Sequence, residues 1–301
     1  MAAAVLGQLA PAKALFRRAT LPIFPTEPRA RLCTTTYPFR HLFLNDRQMN
    51  LVRFADLARS AFGIKNIEPL DSHLGASDPA SLGRLRQRLE EMGTTVIDVC
   101  ASVKNSFYDP DPEKRASAAR QSQLWVDAAA AVGALSVRIH VRGVEGSQPD
   151  IERCASTLGG VAGYAVSRGV VVNLENDDAE SEDPFFLVKV IQRVNSPSLR
   201  ALPDFGNSME RGEVFNYAAL RGLFPYAWDV AHVKDVLTEN GKTWRIDLAK
   251  VIGIARAAGF RGYYAMEWEG EGDPMEGTKR LAQRTLQAMR QQSAHSSGGG
   301  L

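Results

Sequence analysis

Eight short runs rich in β-branched and aliphatic residues recur at intervals of roughly 30 to 40 residues, with helical periodicity between them. The runs cover Leu32 to Tyr37, Ile64 to Pro69, Thr95 to Ala101, Leu135 to Val141, Val170 to Glu175, Leu199 to Asp204, Ala227 to Val233 and Tyr263 to Glu267. After the first run, Leu51, Phe54, Ala55, Leu57, Ala58 and Ala61 keep i, i+3, i+4 spacing, and Gly63 follows where a helix ends most easily. The same grammar returns in Pro79 to Met92 before Gly93, Pro112 to Val132 before Gly133, and Ile246 to Ala258 before Gly259. Such alternation predicts parallel strands joined by crossover helices. Eight units leave no segment large enough for a second domain, so the expected fold is a single α/β (β/α)8 TIM barrel over residues 31–292, whose closed sheet has no unpaired edge. A doubly wound open sheet is the alternative. It calls for a glycine-rich phosphate turn after the first strand, and Tyr37-Pro38-Phe39-Arg40 contains no glycine.

Composition narrows the function classes. A hydrophobic content of 45% with 36 basic and 34 acidic residues fits a soluble chain with a large core, and no basic stripe suited to a phosphate backbone stands out. Nucleic acid is therefore not an expected partner. No apolar run is long enough to span a bilayer, so no membrane partner is expected either. Cys33, Cys100 and Cys154 lie far apart without CxxC spacing, which predicts buried thiols rather than a disulfide framework or a zinc knuckle. Residues 1–30 read as a flexible extension or a targeting remnant: Ala2 to Ala14 are alanine-rich, Arg17 and Arg18 follow, and the first acid is Glu27. A cytoplasmic location is the expectation, with an export-signal remnant as the alternative. Residues 293–301 read as a frayed Ser/Gly-rich tail.

In an α/β barrel the chemistry lies at the carboxyl ends of the strands. Four chemically suited residues close the fifth to eighth runs in order: Glu175, Asp204, His232 and Glu267. A single carboxylate in such a place is often only a helix cap or an ion-pair partner. Three carboxylates and an imidazole on consecutive strands form a different pattern, because the anions repel one another unless a cation is shared. Carboxylate oxygens with one imidazole suit a single divalent ion among Mn, Co, Mg, Fe and Zn.

The segments Asn173-Leu174-Glu175-Asn176, Asp204-Phe205-Gly206-Asn207, His232-Val233-Lys234-Asp235 and Glu267-Trp268-Glu269-Gly270 resemble, in order and separation, the xylose isomerase-like barrels of the sugar phosphate isomerase/epimerase superfamily. That group includes ketose 3-epimerases and inosose dehydratases, with endonuclease IV more distant. The resemblance implies Glu175, Asp204, His232 and Glu267 as metal ligands, with the two glutamates also exchanging protons with a sugar or polyol ketone. It implies a metal-dependent isomerase or epimerase; a dehydratase-like lyase and a non-catalytic sugar-binding barrel are the alternatives. Asn207 stands where several relatives carry histidine, and only five histidines exist, which weakens an endonuclease reading. Relatives of this kind often form homo-oligomers.

Lys234 lies two positions beyond His232, on the same side of an extended strand, and could hold a hydroxyl or polarise a carbonyl; an ion pair with Asp235 is the structural alternative. Glu68, His73, His140 and Asn207 are the expected substrate-binding residues. Trp268, with Trp228 and Trp244, could wall a sugar ring, although such residues commonly serve packing. Glu269 shares the strand parity of Glu267 but lies farther out.

Overall fold

The computed structural model describes residues 24–44, 49–177 and 180–297. The barrel strands are Leu32–Thr35, Asn66–Glu68, a third in two pieces at Thr95–Val96 and Asp98–Cys100, Ser136–Ile139, Val171–Glu175, Leu199–Leu202, Val230–Val233 and Tyr263–Met266. All pairings between them are parallel: the first strand lies between the second and the eighth, the eighth pairs with the seventh, and the fourth to sixth form a continuous ladder. Ile97 splits the third strand because it serves two neighbours, its amide donating to Ile67 O at 3.0 Å while its carbonyl accepts from Leu135 N at 2.9 Å. The ring closes between the sixth and seventh strands through bridges at Ala201↔Ala227 and Asp204↔His232. There His232 N donates to Pro203 O, and Phe205 N donates to His232 O, both at 3.1 Å.

Helices form where the sequence supplies both a pattern and its punctuation. Asp78, Asp111 and Asp183 each cap a helix whose first residue is proline, at Pro79–Glu91, Pro112–Val132 and Pro184–Val194. An aspartate takes the orphan amides of the first turn, and proline lacks an amide that would need a partner there. Gly133 and Gly169 end the third and fourth crossover helices in the left-handed conformation. Two boundaries differ from expectation. Helix Leu248–Ala257 begins after Asp247, whose side chain caps it, rather than at Ile246. The final helix, Pro274–Ser297, continues into the segment expected as a tail.

A hairpin of Val236–Glu239 and Lys242–Arg245 after the seventh strand was not anticipated. Asn240 and Gly241, both at positive φ (51° and 72°), make its turn, and Asn-Gly is the pair that such a two-residue turn favours. At the opposite end of the barrel, Phe24 lies edge-on to Trp228 (centroids 5.5 Å apart) and Tyr263 (5.9 Å), so this part of the expected flexible extension packs beneath the strands. Residues 1–23 and 298–301 of the expected terminal segments lie outside the described residues. No described helix is long and apolar enough to cross a membrane.

Strand alternation divides the buried side chains. One parity meets the helices and builds the main apolar core, including Val137, Ile139, Val172, Leu174, Ala231 and Val233. The other parity faces the barrel axis, where Cys33, Ile97, Leu202, Val230 and Ala265 make a small separate apolar cluster. The three cysteines are all buried and free. Polar groups share that interior: Asn173 Nδ2 donates to Asp98 Oδ1 at 3.3 Å and to Asp229 Oδ1 at 2.9 Å, and Ser136 Oγ donates to Asp98. Burial lifts Asp229 to about 6, against the hydrogen bonds from Ser136 and Asn173.

Two measurements test this account. Gly262 sits where a Cβ would come within 2.3 Å of the Asp229 carbonyl oxygen, so Gly262→Ala should lower unfolding free energy by about 2 kcal/mol or more in denaturant melts. The raised Asp229 value means that the fold favours its neutral form: this contribution is complete below the ordinary aspartate range and is lost as pH rises through about 6. Asp229→Asn should therefore flatten the stability profile between about pH 4 and 6 relative to the parent.

Candidate metal centre

Glu175 is the last residue of the fifth strand, Asp204 lies just past the sixth, His232 is within the seventh, and Glu267 follows the eighth. Their parity turns all four inward, and all are buried. One ligand-type atom from each lies within 4.8 Å of the others. His232 Nδ1 is 2.7 Å from Glu175 Oε1, 3.3 Å from Glu267 Oε2 and 3.9 Å from Asp204 Oδ2.

Asp204 is oriented by its surroundings. Its Oδ1 accepts from the amides of Gly206 and Asn207 at 2.8 Å each, while Asn176 brackets its backbone through Asp204 N and O. Its Oδ2 is buried without a hydrogen bond; Lys234 Nζ approaches to 3.2 Å but is poorly aligned. A buried carboxylate oxygen left in that state is costly unless an ion takes it. The donor set of three carboxylates and one imidazole fits a divalent cation, and these are the residues that could hold one.

His232 is held from both sides. Its Nε2 is 2.8 Å from Glu68 Oε1, an oxygen that also accepts from Cys100 Sγ at 3.1 Å. Burial opposes a charged imidazole, but Glu267, Glu68 and Glu175 outweigh it and raise His232 well above its ordinary range, so Nδ1 donates to Glu175 and Nε2 to Glu68. A cation would displace the Nδ1 proton, while the bond to Glu68 keeps Nε2 protonated. Glu68, expected to bind substrate, is instead fully buried behind the histidine and does not line the cavity.

Lys234 supplies the main positive charge among the carboxylates. Its Nζ lies 3.3 Å from Glu267 Oε2 and 2.5 Å from Glu269 Oε1, and it donates to Asn207 Oδ1. Burial opposes the charged ammonium, but Asp204, Glu269 and Glu267 overcome it and push its pKa well above the usual lysine range. Burial likewise works against the Glu267 carboxylate, yet His232 and Lys234 hold it down at about 2. Glu175 lies well below the carboxylate range for a related reason: Arg138 and His232 outweigh its burial. Asp204 differs, since burial together with Glu267 and Glu175 outweighs Lys234 and lifts it to about 7.

The fourth strand completes the site. Arg138 Nε lies 2.9 Å and His140 Nε2 2.8 Å from Glu175 Oε2. A cavity of about 480 Å³ opens above these groups, with Glu175, Glu267, Lys234, Asn207 and His140 in its lining and Tyr37 and the hairpin's Leu237 on its walls. Seven of the residues singled out in the sequence therefore meet: Glu175, Asp204, His232, Glu267, Lys234, Asn207 and His140.

Other expected binders sit elsewhere. His73 Nδ1 is 2.8 Å from Thr36 Oγ1, its ring is stacked on Phe43, and burial lowers it to about 4. Trp268 is only 6% exposed and pressed so closely on Gly270 and Gly277 that a Cβ at either would overlap its ring; it lines clefts beside the cavity rather than the cavity itself. Trp228 belongs to the opposite end, against Phe24, and Trp244 does not line the cavity. Arg138 and Arg142 were missed. Their signal was available, because Arg138, His140 and Arg142 alternate along one side of an extended run.

A closed parallel barrel with acids and an imidazole gathered at its strand ends defines an α/β barrel with a candidate metal centre where such barrels carry their chemistry. A family model described as xylose isomerase-like TIM barrel matches residues 55–292, and the chain belongs to that family. No curated protein matches it. Solved structures of similar fold include an L-ribulose 3-epimerase (18% identity, 90% of this chain and 99% of that one, TM-score 0.70). A D-psicose 3-epimerase from Clostridium cellulolyticum H10, solved with D-tagatose, matches at 16% identity over 88% of this chain and 98% of that one, TM-score 0.64. A xylose isomerase-like TIM barrel protein from Mycobacterium smegmatis, in complex with magnesium, matches at 18% identity over 81% and 88%, TM-score 0.58.

Lys234→Met tests the charge balance. In chelator-treated protein, removing this buried cation from its carboxylates should cost about 3 kcal/mol or more of unfolding free energy, measured by denaturant melts. Adding a divalent metal should recover much of that loss, because the ion replaces the missing positive charge.

Proposed function

We propose that the protein is a divalent-metal-dependent isomerase or epimerase acting on a sugar or polyol ketone. The observation that carries this reading is the convergence of Glu175, Asp204, His232 and Glu267, one ligand-type atom of each within 4.8 Å of the others, with Glu175 and Glu267 reaching the lining of a cavity of about 480 Å³. Among structural neighbours, one was solved with D-tagatose and another with magnesium, which is compatible with both halves of the proposal.

A cation held by Glu175, Asp204, His232 and Glu267 would stabilise enediolate charge on a substrate carbonyl and its adjacent hydroxyl. This chain's own groups supply the proton transfers. Glu267, ionised at neutral pH, takes the proton from the carbon beside the carbonyl. Glu175, itself ionised, delivers a proton on the other side only after taking one up from solvent in the cavity, with His140 Nε2 at 2.8 Å from its Oε2 as the relay, and Glu267 releases the proton it has taken to solvent in turn. Lys234 and Asn207 orient hydroxyls at the wall. The same arrangement can run as a lyase, with His140 beside Glu175 placed to protonate a departing hydroxyl.

The test combines metal analysis with a panel of ketoses and inososes assayed in deuterated water. The expected outcome is one equivalent of Mn, Co, Mg, Fe or Zn per chain, lost in His232→Ala, together with deuterium incorporation at the carbon beside the carbonyl. Glu267→Gln should retain the fold and lose activity by about a thousandfold. Glu68→Gln should weaken metal binding by about 10- to 100-fold, as read by competition with a chelating dye. A metal-free, fully stable protein that binds a sugar without exchange would replace the enzyme reading with a sugar-binding barrel.

A further inference from the structure

Resting on the proposed function, we infer that the substrate is an uncharged polyol ketone, and that phosphorylated or acidic sugars are excluded by the charge of the cavity wall. The lining holds three permanent cations against seven carboxylates, so even a divalent ion at its floor leaves the wall negative. Each cation is already engaged: Arg138 with Glu175 at 2.9 Å, Arg142 with Glu180, and Lys234 with Asp204, Glu267 and Glu269. A phosphate entering the cavity would have to break one of these pairs and then pass Asp177, Glu210 and Glu239, which also line it.

A second observation points the same way. Barrels of this architecture commonly take phosphate at the loops after the seventh and eighth strands, with help from a helix N-terminus. Here the hairpin after the seventh strand brings Glu239 to the cavity, and the segment after the eighth carries Glu269, Glu271 and Asp273. The helix starts that follow are filled by the chain's own aspartates: Asp247 Oδ1 accepts from Lys250 N at 3.0 Å, and Asp273 Oδ1 from Met275 N at 2.9 Å. Carboxylates in those places repel a phosphate, whereas they accept hydrogen bonds from sugar hydroxyls.

Calorimetry on the metal-loaded full chain, with a ketohexose it binds and the 6-phosphate of that sugar, reads the inference directly. The phosphate ester should bind at least about tenfold more weakly than the parent sugar, and the gap should narrow as salt is raised and screens the wall. Glu180→Gln, which releases Arg142, combined with Glu239→Gln should narrow it further. Binding of the phosphate ester as tight as that of the parent sugar, or tighter, overturns the inference. A gap that is insensitive to salt and to these substitutions also overturns it, because the exclusion would then be steric. The two proposals fail separately: turnover confined to the phosphate ester removes this one and leaves the isomerase standing, whereas tight binding of the neutral sugar without turnover does the reverse.

Discussion

The seam between the sixth and seventh strands is where fold and candidate chemistry depend on the same contact. Elsewhere the barrel is stitched by multi-residue ladders, but here closure rests on bridges at Ala201↔Ala227 and Asp204↔His232. The second of these joins two residues of the candidate cage. Asp204 and His232 are thus brought side by side by the main-chain hydrogen bonds that shut the ring, independently of attraction between their side chains. Rigid strand ends can hold a constellation more closely than loops can. Asn176 strengthens the seam by fastening the Asp204 backbone to the end of the fifth strand.

Once the ring is shut, the interior must tolerate a concentration of charge that no apolar core would accept. Two permanent cations answer it from opposite sides: Arg138 from the fourth strand takes Glu175, and Lys234 from the seventh takes Asp204, Glu267 and Glu269. Compensation is uneven. Glu175 and Glu267 are held ionised, while Asp204 is lifted to about 7 and keeps one oxygen unbonded. Lys234 thus offsets Asp204 only in part, and an additional cation shared with Glu175 and Glu267 would favour the ionised form of Asp204.

Much of this was legible in the chain, and the parts that were not share a cause. Period-two alternation shows which residues of a strand face the axis, and glycines after helical runs show where strands resume, so Glu175, Asp204, His232 and Glu267 could be read as inward-facing strand ends. Height along the axis is not encoded locally. Glu68 and His140 look alike in the sequence, each near a strand end, yet the stagger of the barrel leaves His140 at the cavity and sinks Glu68 behind His232. Trp268 follows the same logic: adjacent to Glu267 and therefore of opposite parity, it turns away from the axis and packs on Gly277. The hairpin was announced by Asn240-Gly241 and overlooked because it interrupts the expected crossover rather than forming one.

Glu68 also bears on how such a site keeps its specificity. An imidazole among three acids could turn either nitrogen toward them, and each choice would present a different ligand geometry. Placing one carboxylate on the far side gives Nε2 a fixed acceptor, and Cys100 supports that acceptor through its Oε1. The cost is a carboxylate oxygen without a hydrogen bond, Glu68 Oε2, deep in the barrel. An apolar residue there would avoid that cost but would leave Nε2 without a partner and the ring free to rotate. The buried acid is therefore best understood as selecting the imidazole's orientation, with stability given up in the interior so that Nδ1 points at Glu175, Asp204 and Glu267.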